Sequence, residues 1–168
     1  FGITLNKAVR IHERYGDKAM EVLNERPFEL CDISGFGFKT VDNIARKIKC
    51  KPNDKMRIKA AAKHVIGEMK SEGHVYMDQQ ELRDKCFDLL NDDLKNISVT
   101  HEEIRECLIE LIRAKTLVNN NGNIYSPYMF KAEVELAKMI AARTFVKSFT
   151  YPNLDAVVEA AQKRRSIM

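Results

Sequence analysis

Apolar residues in the first half of the chain recur every three or four positions, which is the spacing of short amphipathic helices. The pattern predicts helices over residues 5–14, 19–23, 28–33 and 41–50, and a longer one from about 56 to 71. Glycine or proline separates most of these segments and marks where a helix ends. The expected buried positions are Ala19, Met20, Val22 and Leu23 in the second helix and Met56, Ala60, Ile66 and Met69 in the longest one, where Lys63 is expected to face the core only in part.

Beyond Gly73 the pattern changes to a short strand, two helices and a hairpin. Residues 74–77 fit the strand, Asp78 can cap the first helix, and Thr100 with Glu103 forms a capping box for the second. The run Asn-Asn-Asn-Gly at 119–122 tolerates the positive φ of a tight turn between two short apolar segments. Helices followed by a small hairpin predict a winged-helix-like module. Two further helices are expected over 130–143 and 154–165.

The run Ser-Gly-Phe-Gly-Phe-Lys-Thr at residues 34–40 opens one of these helices. Gly35 and Gly37 let the backbone turn tightly and leave amide groups exposed, and the dipole of the following helix favours negative charge. The sequence therefore predicts a phosphate-binding turn. Phe36 and Phe38, at an apolar hairpin, are expected to pack between helices rather than to stack on bases.

Part of this run occurs earlier in the chain. Aligning Gly2 with Gly37, an offset of 35 residues, also brings Val9 opposite Ile44. Two such units predict tandem helix-hairpin-helix elements, whose ligand would be a nucleic-acid backbone. The residues expected to bind DNA phosphates are Gly35, Phe36, Gly37, Phe38, Lys39, Thr40, Arg46 and Lys47, together with Gly2, Ile3 and Thr4 of the first unit.

These observations predict a mainly α fold in three parts. A tandem helix-hairpin-helix domain is expected over 1–72, a winged-helix-like α+β module over 73–128, and a helical linker over 129–168. Because the chain begins at Phe1 within the motif, we expect it to be a piece of a longer protein.

Charge is distributed unevenly within a net formal charge of +4. Residues 1–77 contain 15 Lys and Arg against 10 Asp and Glu, whereas residues 78–127 contain 6 against 10. The basic bias is strongest beside the glycine turn, which favours contact with DNA or RNA over a merely solvated helix face. The cations of this patch are Lys39, Arg46, Lys47, Lys49, Lys51, Lys55, Arg57, Lys59 and Lys63.

The second helix of the winged-helix-like module is acidic. Four glutamates of this helix would repel phosphates, so we expect the module to have a structural or protein-docking role. They are Glu102, Glu103, Glu106 and Glu110.

Several function classes find no support in the sequence. The four Cys and four His never show zinc-ligand spacing or a disulfide framework. No apolar stretch approaches the roughly 18 residues of a membrane span, and no export leader is visible, so we expect a soluble cytoplasmic protein without membrane partners. The phosphate-binding pattern G-x-x-x-x-G-K-[ST] is absent, since Phe38 precedes Lys39 and nothing else in the sequence fits, so we expect no cofactor and no ATP-driven catalysis in this chain.

An ordered series of short motifs resembles the N-terminal extension of bacterial RecD-type DNA helicases (exodeoxyribonuclease V alpha-subunit-like). The resemblance covers nearly the whole chain and implies an ATP- and Mg-dependent motor that moves 5′ to 3′ on single-stranded DNA and is absent here. Partners implied are single-stranded or forked DNA, bound without strong sequence preference, and the helicase core. The motifs are Gly2-Ile3, Tyr15-Gly16-Asp17, Pro27, the run from Gly35 to Thr40, Arg57-Ile58, the run from Glu72 to Tyr76, the run from Ile124 to Pro127, and Ala132-Glu133.

One enzymatic alternative also follows from the glycine turn. The run is similar to the hairpin of helix-hairpin-helix DNA glycosylases, in which a lysine at the position of Lys39 attacks the sugar and an aspartate stabilises the developing charge. The candidate aspartate here is Asp54. The sequence has no second helical half to form the pocket for a flipped base, which disfavours this alternative.

Overall fold

The computed structural model describes residues 2–91, 97–144 and 153–165, and the described chain is mainly helical, as predicted. The helices are α1 (Leu5–Tyr15), α2 (Ala19–Glu25), α3 (Phe38–Lys47), α4 (Lys55–Ser71), α5 (Gln79–Asn91), α6 (His101–Arg113), α7 (Pro127–Thr144) and α8 (Leu154–Arg165). The strands are β1 (Tyr76–Asp78), β2 (Val118–Asn120) and β3 (Asn123–Tyr125), and short 3-10 helices cover Gly16–Lys18 and Pro27–Asp32.

Helix α3 begins three residues earlier and ends three residues earlier than the periodicity predicts. Gly37 adopts extended backbone, and its carbonyl accepts the amides of Thr40 at 3.0 Å and Val41 at 3.2 Å, so helical bonding starts at Phe38. At the other end Lys49 has a φ of 61°, and the Cys50 amide donates back to the carbonyl of Ala45 at 3.0 Å. A left-handed residue followed by this backward bond terminates a helix.

Helix α4 is the central element of the residue 1–133 unit. It packs against α3 and the 3-10 helix Pro27–Asp32, and also against α5, α6 and β1. The predicted burial is wrong at Met56, which is 43% exposed, whereas the side chain of Lys63, expected to face the core only in part, is 46% exposed. The helix is alanine-rich, and small residues pack closely against neighbouring helices. The buried positions include Ile58, Ala60, Ala61, Ala62, Val65, Ile66 and Met69.

Met20 in α2 is 55% exposed, so the predicted burial is wrong there as well, whereas Val22 and Leu23 are buried. One hydrophobic core runs from Ile11 through α4 to Ile124. Helix α4 packs against elements from both parts of the chain, so this core is continuous across the predicted domain boundary between residues 72 and 73. That boundary stays a prediction.

The second half follows the predicted local chemistry closely. Asp78 Oδ1 accepts the amides of Gln80 at 2.7 Å and Glu81 at 3.3 Å, which caps α5. The three strands form an antiparallel sheet in the order β1-β3-β2, with Met77 and Asn119 both in register with Ile124. The hairpin turn has a φ of 54° at Asn121 and 89° at Gly122, as a tight turn between twisted strands requires.

The chain divides into two compact units, residues 1–133 and residues 134–168. The second contains the end of α7 and the whole of α8, and Leu136, Met139 and Ile140 of α7 are exposed. Pro152, which lies between the two helices predicted over 130–143 and 154–165, is outside the described residues. Among the described helices, none combines the length and apolar character needed to cross a bilayer.

Candidate nucleic-acid interface

Two buried aromatic side chains fix the glycine turn before α3. Gly35 has a φ of 88°, a conformation that favours glycine, and the Phe36 amide closes the turn by donating to the carbonyl of Ile33 at 3.1 Å. Phe36 and Phe38 are 2% and 3% exposed, so their rings pack inward as predicted. The ring of Phe38 stacks between Phe28 and His64 at centroid distances of 6.2 and 5.7 Å. The two buried rings anchor the turn, so Phe36 and Phe38 present only main-chain groups at its surface.

The backbone at the start of α3 is left open. No side chain caps Gly37, and within the described residues the amides of Gly37, Phe38 and Lys39 have no hydrogen-bond acceptor. Gly37 and Lys39 are exposed. Unpaired amides at a helix start carry partial positive charge and point along the axis, which is the arrangement that binds an oxyanion.

The first hairpin has the same geometry, but at a different offset from the one the sequence predicts. Gly2 has a φ of 69°, and Thr4, which precedes α1, has φ and ψ of −70° and 156°. The corresponding angles at Gly37 are −70° and 158°. Gly2 therefore matches Gly35 and Thr4 matches Gly37. The predicted pairing of Gly2 with Gly37 is wrong because the left-handed glycine, and not the one at the helix start, defines the turn.

Burial supports the corrected alignment. Val9, predicted to correspond to Ile44, is 48% exposed, whereas Ile44 is 3% exposed. Ile11 occupies the same place in α1 as Ile44 in α3 and is 2% exposed. Like Gly37, Thr4 forms no side-chain cap, so the start of α1 also presents amides without an internal acceptor from its N-cap side chain. Both predicted hairpins are present.

Helices α4, α5 and α6 each begin with a side chain that caps them. Asp54 Oδ1 accepts the amides of Met56 at 2.7 Å and Arg57 at 3.4 Å at the start of α4. Asp78 caps α5 as described above, and the predicted capping box is formed at α6. Helix α2 continues directly from the 3-10 helix Gly16–Lys18. The uncapped starts of α1 and α3 therefore contrast with the capped starts of α4, α5 and α6.

The predicted basic residues do not all reach the second hairpin. Lys39 is exposed at the start of α3 and Thr40 is half-buried beside it. The ammonium group of Lys47 lies against Gly2, so Lys47 belongs to the first hairpin. Arg46 pairs with Asp42, with Nε 3.1 Å and Nη2 3.0 Å from Oδ2, while 37% of its side chain is exposed.

Much of the predicted basic patch is neutralised by carboxylates from other elements. Arg57 is buried, and its guanidinium holds Asp42 through two bonds, Nε to Oδ1 at 2.6 Å and Nη2 to Oδ2 at 3.1 Å. Lys55 and Lys59 lie 2.8 and 2.7 Å from the carboxylate of Glu110. Arg57 is therefore too buried to contribute to a DNA-facing patch, and Lys55 and Lys59 are paired with a carboxylate within the fold.

Glu110 neutralises two lysines of the predicted basic patch. Its hydrogen bonds with Lys55 and Lys59 lower the pKa of its carboxyl to about 2. It lies on α6, in the module expected to have a structural or protein-docking role, and this carboxylate holds α6 against α4. Glu103 is also used internally, because it accepts a bond from Asn53 at 3.0 Å in addition to closing the capping box.

Basic residues of α1 were missed by the sequence reasoning. Arg10 Nη1 donates to the carbonyl of Ser34 at 2.8 Å, and Lys7 Nζ lies 5.4 Å from the centre of the Phe36 ring. Together with Arg14, these residues have the i, i+3, i+7 spacing of one helix face. That spacing was a usable signal, and the structure shows that Lys7 and Arg10 on this face reach the second hairpin.

The described residues offer little for covalent or metal chemistry. They contain no group of three His, Cys, Asp or Glu side chains placed to hold a metal ion. Burial raises the pKa of the Cys31 thiol to about 11 and that of Cys86 to about 12, so both are protonated at neutral pH. Asp54, the aspartate of the glycosylase alternative, is engaged in capping α4.

Comparisons with known proteins agree with this geometry. Residues 1–76 match the family described as the ATP-dependent RecD2 DNA helicase HHH domain. The chain is also similar to the ATP-dependent RecD2 DNA helicase of Deinococcus radiodurans, with 26% identity over 153 residues. That alignment covers 83% of this chain and 20% of the relative, so the chain spans about a fifth of the length of this curated protein.

Proposed function

Since residues 1–76 form a helix-hairpin-helix domain of the RecD2 helicase type, we propose that this chain is a non-catalytic region that holds the DNA backbone for such a helicase. The main contact is the start of α3, where the amides of Gly37, Phe38 and Lys39 receive one phosphate oxygen. The side chains of Lys39 and Thr40 add donors at the same place. The start of α1, with Gly2, Ile3, Thr4 and the neighbouring Lys47, forms the second contact.

One observation carries this proposal. Helices α4, α5 and α6 begin with a side chain that accepts their first amides, whereas α1 and α3 begin at glycine turns without one. A phosphate at the open starts would satisfy those amides and oppose the positive end of the dipole. The buried rings of Phe36 and Phe38 leave main-chain groups as the contacting atoms, so little sequence preference is expected.

The remaining activities belong to the longer protein. We propose that the ATP- and Mg-dependent motor lies outside this chain, and that the hairpins guide single-stranded or forked DNA toward it in the bacterial cytoplasm. The helix-hairpin-helix region would then position the DNA strand and take no part in catalysis. Its contribution would be to keep the strand aligned while the motor translocates.

A titration of the chain with fluorescein-labelled single-stranded DNA at several salt concentrations tests the proposal. Each neutralised phosphate should contribute about −0.7 to the slope of log affinity against log salt. Absence of binding, or binding that does not change with salt, would favour the alternative in which the hairpins are a scaffold for protein docking. A covalent adduct through Lys39 would favour the glycosylase alternative.

Two substitutions of Gly37 make the test specific for the start of α3. Gly37→Asp places a carboxylate on the open amides, whereas Gly37→Asn places a neutral group of similar shape there. Both residues are good N-caps, the backbone at Gly37 has ordinary angles, and a Cβ there meets nothing within 4 Å. We expect the aspartate variant to bind DNA much more weakly than the asparagine variant at equal stability. Equal affinities would remove α3 from the DNA interface.

A further inference from the structure

A shallow groove adjoins the second hairpin next to Ser34. It lies between α1 and the segment leading into the turn, has a volume of about 410 Å³, and is lined by Arg10, Glu13, Arg14, Ile33 and Ser34. Ser34 directly precedes Gly35, so the groove and the phosphate-binding turn share one stretch of backbone. A DNA strand bound along the turn would therefore extend into the groove.

The two arginines of this groove are held near each other without an acidic partner. They are four residues apart on α1, where like charges repel slightly. Among the described residues neither guanidinium forms a salt bridge with a carboxylate. The bond from Arg10 Nη1 to the Ser34 carbonyl uses one of its five N–H groups and fixes the guanidinium beside the turn.

The contact at Gly35 is close. A Cβ at this position would lie 2.8 Å from Arg10 Nη1, and the φ of 88° already disfavours a side chain. The guanidinium therefore sits directly against the bare backbone of the turn, at the boundary between the turn and the groove. Arginine, with its planar set of donors, is well suited to a phosphate at that boundary.

We propose that this groove is a second phosphate subsite, in which Arg10 and Arg14 bind the phosphate next to the one held at the start of α3 on the same DNA strand. The inference rests on the proposed function of the hairpin. Ser34 adds a hydroxyl donor to the subsite. Glu13 is the one carboxylate that lines the groove, and it opposes binding.

Opposite effects of two neighbouring substitutions test the subsite. Arg14→Gln should weaken binding of fluorescein-labelled single-stranded DNA, and the ratio of wild-type to variant affinity should fall by about 2.6-fold between 50 and 200 mM salt, as expected for one lost counterion. Glu13→Gln should strengthen binding. Arg10→Lys keeps the charge but loses the planar donor set, so it should weaken binding less than Arg10→Gln.

Lys85→Gln on α5 is the matched control, because it removes a surface cation paired with Glu81 and far along the chain from the groove. Thermal unfolding of each variant establishes that the fold is retained. If Gly37→Asp abolishes binding while Arg14→Gln and Glu13→Gln behave like Lys85→Gln, the subsite is overturned and the hairpin function stands. If Gly37→Asp binds DNA as well as Gly37→Asn, the hairpin function fails and the subsite fails with it.

Discussion

Helices α3 and α6 are of similar length and begin in opposite ways. At α6 the hydroxyl of Thr100 accepts the Glu103 amide at 3.2 Å, and the Glu103 carboxylate accepts the Thr100 amide at 2.8 Å. The first turn of α6 also carries Glu102, so its positive dipole end already has a negative neighbour. At α3 the corresponding position is Gly37, with no side-chain cap and no acidic residue in the first turn.

The difference separates two uses of the same backbone feature. Every helix start has amides without an intrahelical partner, and a protein gains stability by capping them. The chain closes this position in α6, which packs within the fold, and leaves it open in α3, where the turn is exposed. An uncapped start costs stability, and a bound anion can recover it. The open start is therefore the one with a function to test.

The largest expected effect comes from the pair that fixes α3 against α4. Arg57→Met leaves the buried carboxylate of Asp42 without its main partner and removes the bonds to the carbonyls of Pro52 and Leu90. We expect a loss of about 3–5 kcal/mol in the free energy of unfolding, measured by urea denaturation. The double variant Asp42→Leu with Arg57→Met should be more stable than Arg57→Met alone. If the single variant were as stable as the wild type, the pair would not position α3.

Opening α6 tests whether a bare helix start is sufficient for DNA binding. Thr100→Ala removes the capping hydroxyl and should destabilise the chain by about 1 kcal/mol in urea denaturation. Its DNA affinity should not rise, because Glu102 and Glu103 in the first turn of α6 place negative charge beside the exposed amides. A gain of salt-dependent DNA binding in this variant would show that amides alone, without the basic surroundings of α3, create the site.

The local parts of this comparison could be predicted from sequence, whereas the non-local parts could not. Capping boxes, turn asparagines and glycine turns act over a few residues, so Thr100 with Glu103 and the run at 34–40 could be recognised directly. The choice between Gly35 and Gly37 as the left-handed residue depends on φ angles that two nearby glycines leave open. That ambiguity produced the wrong repeat offset.

Charge pairing was predicted poorly for a related reason. Glu110 is 55 positions from Lys55 along the chain, and Asp42 is 15 positions from Arg57. Counting charges within a window of sequence takes into account only the carboxylates that are near each cation along the chain. It misses the carboxylates that packing brings to that cation from distant positions. The DNA interface that we propose is consequently narrower than the predicted basic patch, and it includes α1, whose Lys7 and Arg10 lie far from α3 in sequence.

Lys39 measures how much the side chain adds to the open amides. Lys39→Ala should weaken binding of single-stranded DNA less than Gly37→Asp does, and should reduce the salt slope by about 0.7. The comparison variant is Lys51→Ala, an exposed cation beyond the C-terminal end of α3. Affinity and slope are obtained together from anisotropy titrations at several salt concentrations. An equal effect of the two lysine variants would indicate a diffuse field rather than a contact at the helix start.

The smallest effect concerns the acidic side of the comparison and its dependence on pH. Two lysines lower the pKa of Glu110 from 4.5 to about 2 in the folded chain, so this carboxylate favours the folded state while it is ionised. Its contribution is complete above pH 4.5 and is lost as the pH falls toward 2. Glu110→Gln should therefore reduce stability at neutral pH, and the difference from the wild type should disappear near pH 2. Glu25→Gln on α2 is the control for removing an exposed carboxylate. A stability difference that persists unchanged at pH 2 would mean that Glu110 acts through packing and not through its charge on Lys55 and Lys59.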